Sequence, residues 1–118
     1  MNNVLYQYKA FVTSVYNGNT CTVDIDLGLH TWVQEEKIRL MRIDAPEIRG
    51  KNRPKGILSR DFLINLILGK EIIICTFKDK KGKSGGYLGE IWLLEDEKEP
   101  LNVNDYLVEQ GYAVFKED

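Results

Sequence analysis

One short segment of the sequence concentrates charged side chains that could do chemistry. Residues 38–47 read Ile-Arg-Leu-Met-Arg-Ile-Asp-Ala-Pro-Glu, which puts Arg39, Asp44 and Glu47 at the end of an otherwise apolar strand. A guanidinium group matches the geometry of a phosphate, whereas carboxylates bind hard cations or move protons. The segment is therefore either a salt-bridged rim or a site that handles phosphates.

The composition limits the classes of protein that need to be considered. A chain of 118 residues, 43% apolar and 29% charged, is typical of one globular domain that buries a core without disulfides or metals. The net charge of −2 argues against binding nucleic acid by bulk attraction alone. Cys21 and Cys75 both fall in predicted strands, which favours buried free thiols over a disulfide or a two-sulfur metal site.

The N-terminal residues show no recognisable targeting signal. They lack the basic and apolar regions of a secretion signal, and no apolar run approaches the roughly 18 residues of a membrane span. We therefore expect a monomer without membrane association, and a cytoplasmic location is favoured.

The elements that must position the charged segment begin with a three-stranded meander. Strict alternation from Thr20 to Leu27 predicts a half-buried strand. The Asn17-Gly18 pair before it predicts a hairpin whose first strand runs near residues 7–16. A third strand is predicted from about Thr31 to Ile43, ending before Pro46.

The second half of the sequence predicts a helix, two strands and a closing helix. Leu58, Phe62 and Leu66 recur every four residues, flanked by Leu63 and Ile67, in a helix over roughly residues 54–68. Strands follow at 71–77 and 87–94, and the last helix starts at an Asn102 N-cap and ends at Gly111. Five strands with a helix between the third and fourth is the order of an OB-fold, a mainly β (α+β) Greek-key barrel, here one domain over 1–118.

Four sequence blocks in a fixed order point to a known family. The segment from Arg39 to Glu47 is preceded by Val-Tyr-Asn-Gly-Asn-Thr at 15–20. It is followed by Lys-Ser-Gly-Gly-Tyr-Leu-Gly-Glu at 83–90 and by Asn-Val-Asn-Asp-Tyr-Leu-Val-Glu-Gln-Gly at 102–111. Together the blocks resemble the staphylococcal nuclease, or thermonuclease-like, family over almost the whole chain. The resemblance implies an OB-fold and calcium-dependent hydrolysis of DNA and RNA.

The resemblance also implies roles for individual residues. Asp44, the carbonyl of Ala45 and the residue at position 19 correspond to the metal ligands. Glu47 matches the glutamate that acts as general base or orients water, and Arg39 matches one of two arginines that grip the phosphate. Hydrolysis of a phosphodiester uses such a set because negative charge grows on the phosphate oxygens while a water must be activated.

Two positions depart from the family's pattern. Its turn usually reads Asp-Gly-Asp-Thr, but here a principal metal-binding aspartate is replaced by Asn19. Its second catalytic arginine corresponds to Gly86. Both changes predict weakened calcium binding and little nuclease activity by the family mechanism.

These observations leave two main hypotheses for the function. The chain is either a nuclease with a degenerate site and weak activity, or an OB-fold protein that binds nucleic acid or nucleotides without cleaving them. A protein-interaction role is a third alternative. In each nucleic-acid reading, the expected partner is single-stranded DNA or RNA. The candidate contacts outside the catalytic set are Lys78, Lys80, Lys81, Lys83 and Tyr87.

Overall fold

The computed structural model describes residues 6–79, 86–95 and 98–117, and its main feature is a five-stranded closed barrel with two helices. The barrel strands are β1 (Gln7–Asn17), β2 (Thr20–Gly28), β3 (Thr31–Leu40), β5 (Glu71–Lys78) and β6 (Tyr87–Leu93). Short strands β4 (Ile43–Asp44), β7 (Leu101–Asn102) and β8 (Val114–Phe115) flank it. The helices are α1 (Arg53–Ile67) and α2 (Val103–Glu109), with a 3-10 turn at Gly50–Asn52. The predicted OB-fold is confirmed.

The barrel closes through one parallel contact between β3 and β6. The sheet order is β3-β2-β1-β5-β6-β7, and Ile38, Arg39 and Leu40 pair with Tyr87, Leu88 and Gly89. A Cβ atom on Gly89 would lie 2.6 Å from Cγ2 of Ile38, so only glycine allows this close approach. This closure brings the C-terminal end of β3 beside the start of β6.

The predicted β1–β2 hairpin is confirmed. Asn17 pairs with Thr20 across the turn, and Cys21, Val23 and Ile25 face the core. Both cysteines are buried and free, and burial raises the pKa of the Cys21 thiol to about 12.

The predicted third strand ends earlier than expected. A single strand to Ile43 is wrong, because β3 stops at Leu40 and a turn at Met41 and Arg42 separates it from β4. Arg42 has a φ of 68°, in the left-handed region, which no continuous strand contains. β4 then pairs with β8 instead of continuing the barrel.

Both predicted helices are present, and the predicted apolar residues of α1 pack on the core except Leu58. Leu58 is 61% exposed, and the buried residues are Gly56, Ser59, Leu63 and Ile67. The N-cap of α2 is confirmed, since the Asn102 side chain accepts a hydrogen bond from the backbone N–H of Asp105 at 2.9 Å. Within the described part of the chain, neither helix has the length and apolarity that crossing a membrane would require.

Candidate phosphate and metal site

The β1–β2 turn holds Asn19 in a fixed, buried position. The Asn17 side chain accepts a hydrogen bond from the backbone N–H of Asn19 at 3.0 Å. The backbone carbonyl of Asn19 accepts from the N–H of Leu40 at 2.8 Å. Only 6% of Asn19 is exposed, so its amide has few orientations available.

Gly18 lets this turn pack directly against the loop that carries the acidic residues. A Cβ atom at Gly18 would lie 2.8 Å from Cβ of Ala45 and 2.7 Å from Cβ of Ser59 on α1. Real Cβ atoms do not approach so closely, so a glycine is required at this contact. The turn, the loop after β4 and the start of α1 therefore form one packed unit.

Asn19 and Asp44, two of the residues assigned to the metal, are in contact. Nδ2 of Asn19 donates to Oδ1 of Asp44 at 3.4 Å, and Oδ1 of Asn19 accepts from the hydroxyl of Thr20 at 3.3 Å. The amide thus presents its donor to Asp44 and its oxygen to Thr20. Asn19 therefore brings one neutral amide oxygen to this place, where a second carboxylate would bring a full negative charge to a cation.

The other donors also fall short of what a calcium ion requires. Calcium binds six to eight oxygens, with carboxylates supplying the charge. Asp44 is the carboxylate beside Asn19, and Ala45 offers its carbonyl. No group of three or more Asp, Glu, His or Cys side chains suited to a metal lies within residues 6–79, 86–95 and 98–117. Asp44, Ala45 and Asn19 together supply one carboxylate and two neutral oxygens, which is less charge than calcium sites usually provide.

Asp44, Ala45 and Glu47 line one cavity of about 540 Å³. Lys55 of α1 and the segment 111–114 complete its wall. The carboxyl groups of Asp44 and Glu47 are on exposed residues, so a ligand in this cavity can reach both. Asp44, Ala45 and Glu47, which the resemblance assigns to the metal and to the water, therefore line the same cavity.

Gly56 positions the backbone of Glu47. A Cβ atom at Gly56 would overlap the carbonyl group of Glu47 and lie 2.8 Å from the backbone nitrogen of Ile48. The loop that carries Glu47 therefore rests on the first turn of α1, which explains why a glycine is buried in this helix.

We expect Gly56→Ala to destabilise the domain by about 2 kcal/mol, because the loop must move away from the helix. The measurement is urea unfolding followed by far-UV circular dichroism. Leu58→Ala, on the exposed side of the same helix, is the control and should change stability by much less. Equal stability of Gly56→Ala and the wild type would show that the loop does not depend on this contact.

Arg39 lies next to the Asn19 turn on the outside of the barrel. It pairs across the sheet with Thr20, and its Nε is 3.9 Å from Oδ2 of Asp79. About a third of its side chain is exposed. Arg39 thus lies beside the turn that holds Asn19, with part of its side chain facing solvent.

The remaining predicted contacts lie elsewhere or outside the described residues. Lys78 and Tyr87 line a second cavity of about 390 Å³ together with Tyr6 and Tyr8, not the cavity of Asp44 and Glu47. Gly86 precedes β6, and its carbonyl accepts from the backbone N–H of Asp79 at 3.2 Å. Lys80, Lys81 and Lys83 lie outside the described residues.

Sequence reasoning missed the role of Arg42. Its guanidinium forms a two-pronged hydrogen-bonded ion pair with Glu90 and donates to Asp105 at 2.8 Å. The hydrogen bond to Glu90 is the main reason that the pKa of Arg42 lies above its ordinary range. Of the two arginines in the opening segment, Arg42 is therefore the one with a two-pronged ion pair, whereas Arg39 lies 3.9 Å from Asp79. The sequence showed Arg42 and, at 102–105, the pattern Asn-x-x-Asp, but no local pattern indicated that Arg42 and Asp105 would meet.

The comparisons with known proteins identify a family for the chain. A family described as staphylococcal nuclease homologues matches residues 37–118. An uncharacterized protein of Methanocaldococcus jannaschii is 28% identical over 90% of this chain. The chain spans 58% of the length of that relative. Because the match covers more than half of the sequence and includes the end of β3, both helices and the acidic loop, the chain belongs to the staphylococcal nuclease family.

Proposed function

We propose that the chain binds single-stranded DNA or RNA through backbone phosphates at Arg39 and hydrolyses the bound strand at most slowly. Family membership supports nucleic acid as the ligand. The neutral amide of Asn19 beside Asp44 carries the second half of the proposal. Asp44 already has a neutral partner there, at the place where the family resemblance implies a second carboxylate for a cation.

The metal-dependent step is the one that this arrangement weakens. When bound, calcium would supply positive charge near the phosphate and a more acidic water. Holding calcium here would require the Asn19 amide to release Thr20 and turn its oxygen toward the ion. We infer that calcium binds weakly, with Asp44, Ala45 and Asn19 as its ligands.

Phosphate binding depends less on the metal. Arg39 offers a planar group that can donate two parallel hydrogen bonds to a phosphate. Asp79 holds this group from one side and keeps it near the β5–β6 connection. Binding at Arg39 therefore remains possible even though the family's second arginine corresponds to Gly86.

We expect Arg39→Gln to weaken binding of a labelled single-stranded oligonucleotide by about tenfold, because a charge-assisted phosphate contact is worth about 1.5 kcal/mol. Fluorescence anisotropy at several salt concentrations measures the loss. The slope of log K against log salt should also fall by about 0.7, the single-strand value for one phosphate contact.

Arg60→Gln is the matched control for this change. It removes the same charge from α1, where the Arg60 guanidinium bonds to neighbouring Asp61. If both variants bind as well as the wild type, Arg39 is not the phosphate contact. If the wild type binds no oligonucleotide at low salt, the proposed function is wrong.

A weak metal-dependent nuclease is the second candidate. One observation favours it: Asp44 and Glu47 share an open cavity with Lys55, which leaves room for a phosphate and a water near both carboxylates. The two candidates differ in how fast the wild-type protein cuts the strand that it binds: the second predicts calcium-dependent cleavage that is lost in Glu47→Gln, and the first predicts a bound strand that stays essentially intact.

A further inference from the structure

Tyr16 is an exposed aromatic residue that the proposed function has not used. It lies at the end of β1, where the register shifts between Val15 and Asn17, so Tyr16 is the extra residue of a β-bulge. Bulges turn a side chain out of the regular alternation. The residue is 49% exposed, beside the turn that holds Asn19.

Two cations lie against the Tyr16 ring from different elements. The guanidinium of Arg49, in the loop after Glu47, donates to the Tyr16 hydroxyl at 3.3 Å. The ammonium of Lys37 on β3 lies 5.9 Å from the ring centroid. Neither Lys37 nor Arg49 forms an ion pair with any residue that the structure describes.

These residues continue the surface that starts at Arg39. Lys37 pairs with Thr22 and Arg39 with Thr20, so both cations project from the same face of β3. Two residues along a strand cover about 6.6 Å. Positive charge therefore runs from Arg39 to Lys37 over the ring and to Arg49 at the ring's hydroxyl.

We propose that Tyr16, Lys37 and Arg49 form a subsite that stacks one nucleobase of a single strand and contacts the phosphates on either side of it. This inference rests on the proposed function and extends it by one nucleotide beyond Arg39. A ring flanked by cations suits a single-stranded nucleic acid, because each base has a π-face and each nucleotide one negative charge. A duplex keeps its bases stacked on each other and does not offer this face.

The arrangement also explains which part of the ligand the subsite recognises. The ring contacts any base without reading its hydrogen-bonding edge, so little sequence preference is expected. Lys37 and Arg49 add salt dependence.

The test compares two ligands and three variants by fluorescence anisotropy. One ligand is a labelled thymidine oligonucleotide of about 12 nucleotides, within the range bound by one OB-fold. The other has the same length and phosphates but abasic sites in place of the bases. The variants are Tyr16→Leu, Tyr16→Phe and, as the matched control, Phe11→Leu. Phe11 lies on the same strand and is 44% exposed, but it pairs across the sheet with Asp24 and Glu71.

We expect Tyr16→Leu to weaken binding of the thymidine strand by at least about fivefold, the lower end for loss of one stacked base. Binding of the abasic strand should not change. Tyr16→Phe should bind like the wild type, because it keeps the ring and loses only the hydrogen bond to Arg49. Phe11→Leu should bind both strands normally.

Three results would overturn the inference. If Tyr16→Leu binds the thymidine strand as well as Phe11→Leu does, the ring does not stack a base, while binding at Arg39 still stands. If Tyr16→Phe loses as much affinity as Tyr16→Leu, the hydroxyl positions the Arg49 loop and no base stacks on the ring. If the wild-type protein binds neither strand, the proposed function fails and the subsite fails with it.

Discussion

The double variant Asn19→Asp with Gly86→Arg is expected to cleave single-stranded DNA at least about 10³-fold faster than the wild-type protein when calcium is present. Arginines that act on phosphoryl transition states contribute on the order of 10³ to 10⁵ in rate. Arg39, Asp44 and Glu47 are already on the scaffold, so the two substitutions restore the groups that the resemblance identifies as missing. Release of a labelled fragment, measured with and without chelator, gives the rate.

The Asn19→Asp change acts through the metal. A carboxylate at this position would face Asp44, and two carboxylates close together attract a divalent cation strongly. At about 4 Å and an effective dielectric near 20, one added unit charge interacts with another by roughly 4 kcal/mol, and with a divalent ion by about twice that before desolvation. The single variant Asn19→Asp should therefore bind calcium more tightly without reaching the rate of the double variant.

The control for this experiment is Glu47→Gln in the double-variant background. It keeps the size of the side chain and removes the base, so the gained activity should fall by at least about 10²-fold. Equally fast cleavage by the wild type and the double variant would refute the claim that positions 19 and 86 limit hydrolysis.

Arg42→Leu is expected to destabilise the domain by about 2 to 3 kcal/mol. The change leaves the carboxylate of Glu90, which is 12% exposed, without its two-pronged partner. The amide of Asn102 still donates to it at 3.1 Å, which keeps the loss below that of a fully unpaired buried charge. Urea unfolding monitored by circular dichroism measures the loss.

Two further variants separate the effect of the ion pair on stability from the effect of the left-handed backbone at residue 42. Arg42→Gly also removes the pair but relieves the left-handed φ of 68°, so it should be about 1 kcal/mol less destabilising than Arg42→Leu. Arg60→Leu removes an arginine that contacts only its neighbour among the described hydrogen bonds, and it should change stability by less than about 0.5 kcal/mol. Similar stability for Arg42→Leu and Arg60→Leu would rule out a stabilising role for the Arg42 network.

Local signals predicted much of this fold. The Asn17-Gly18 hairpin and the Asn102 N-cap were predictable, because each depends on residues within a few positions of one another. The early end of β3 was not, because the left-handed Arg42 is held by Glu90 and Asp105, 48 and 63 residues away. The burial of Gly56 and Ser59 in α1 was also not predicted, since a loop and a turn approach them closely and neither residue is apolar enough to signal burial.

The candidate site shows the same division. The resemblance selected Asn19, Asp44 and Glu47, and the structure brings Asn19 against Asp44 and puts Asp44 and Glu47 on one cavity. The resemblance could not indicate that the Asn19 amide donates to Asp44 and accepts from the hydroxyl of Thr20, because these contacts depend on the folded arrangement. The cations around Tyr16 come from β3 and from the loop after Glu47, so no segment of sequence shows them together.

The most direct test of the central claim is one gel experiment with excess wild-type protein, a labelled single strand and either calcium or chelator. The same samples are run under native conditions to detect the complex and under denaturing conditions to detect cleavage. We predict a shifted complex in both samples and an intact strand, or cleavage at least about 10³-fold slower than by the double variant. Rapid, calcium-dependent cutting that disappears in Glu47→Gln would contradict the claim and identify the wild-type protein as an active nuclease.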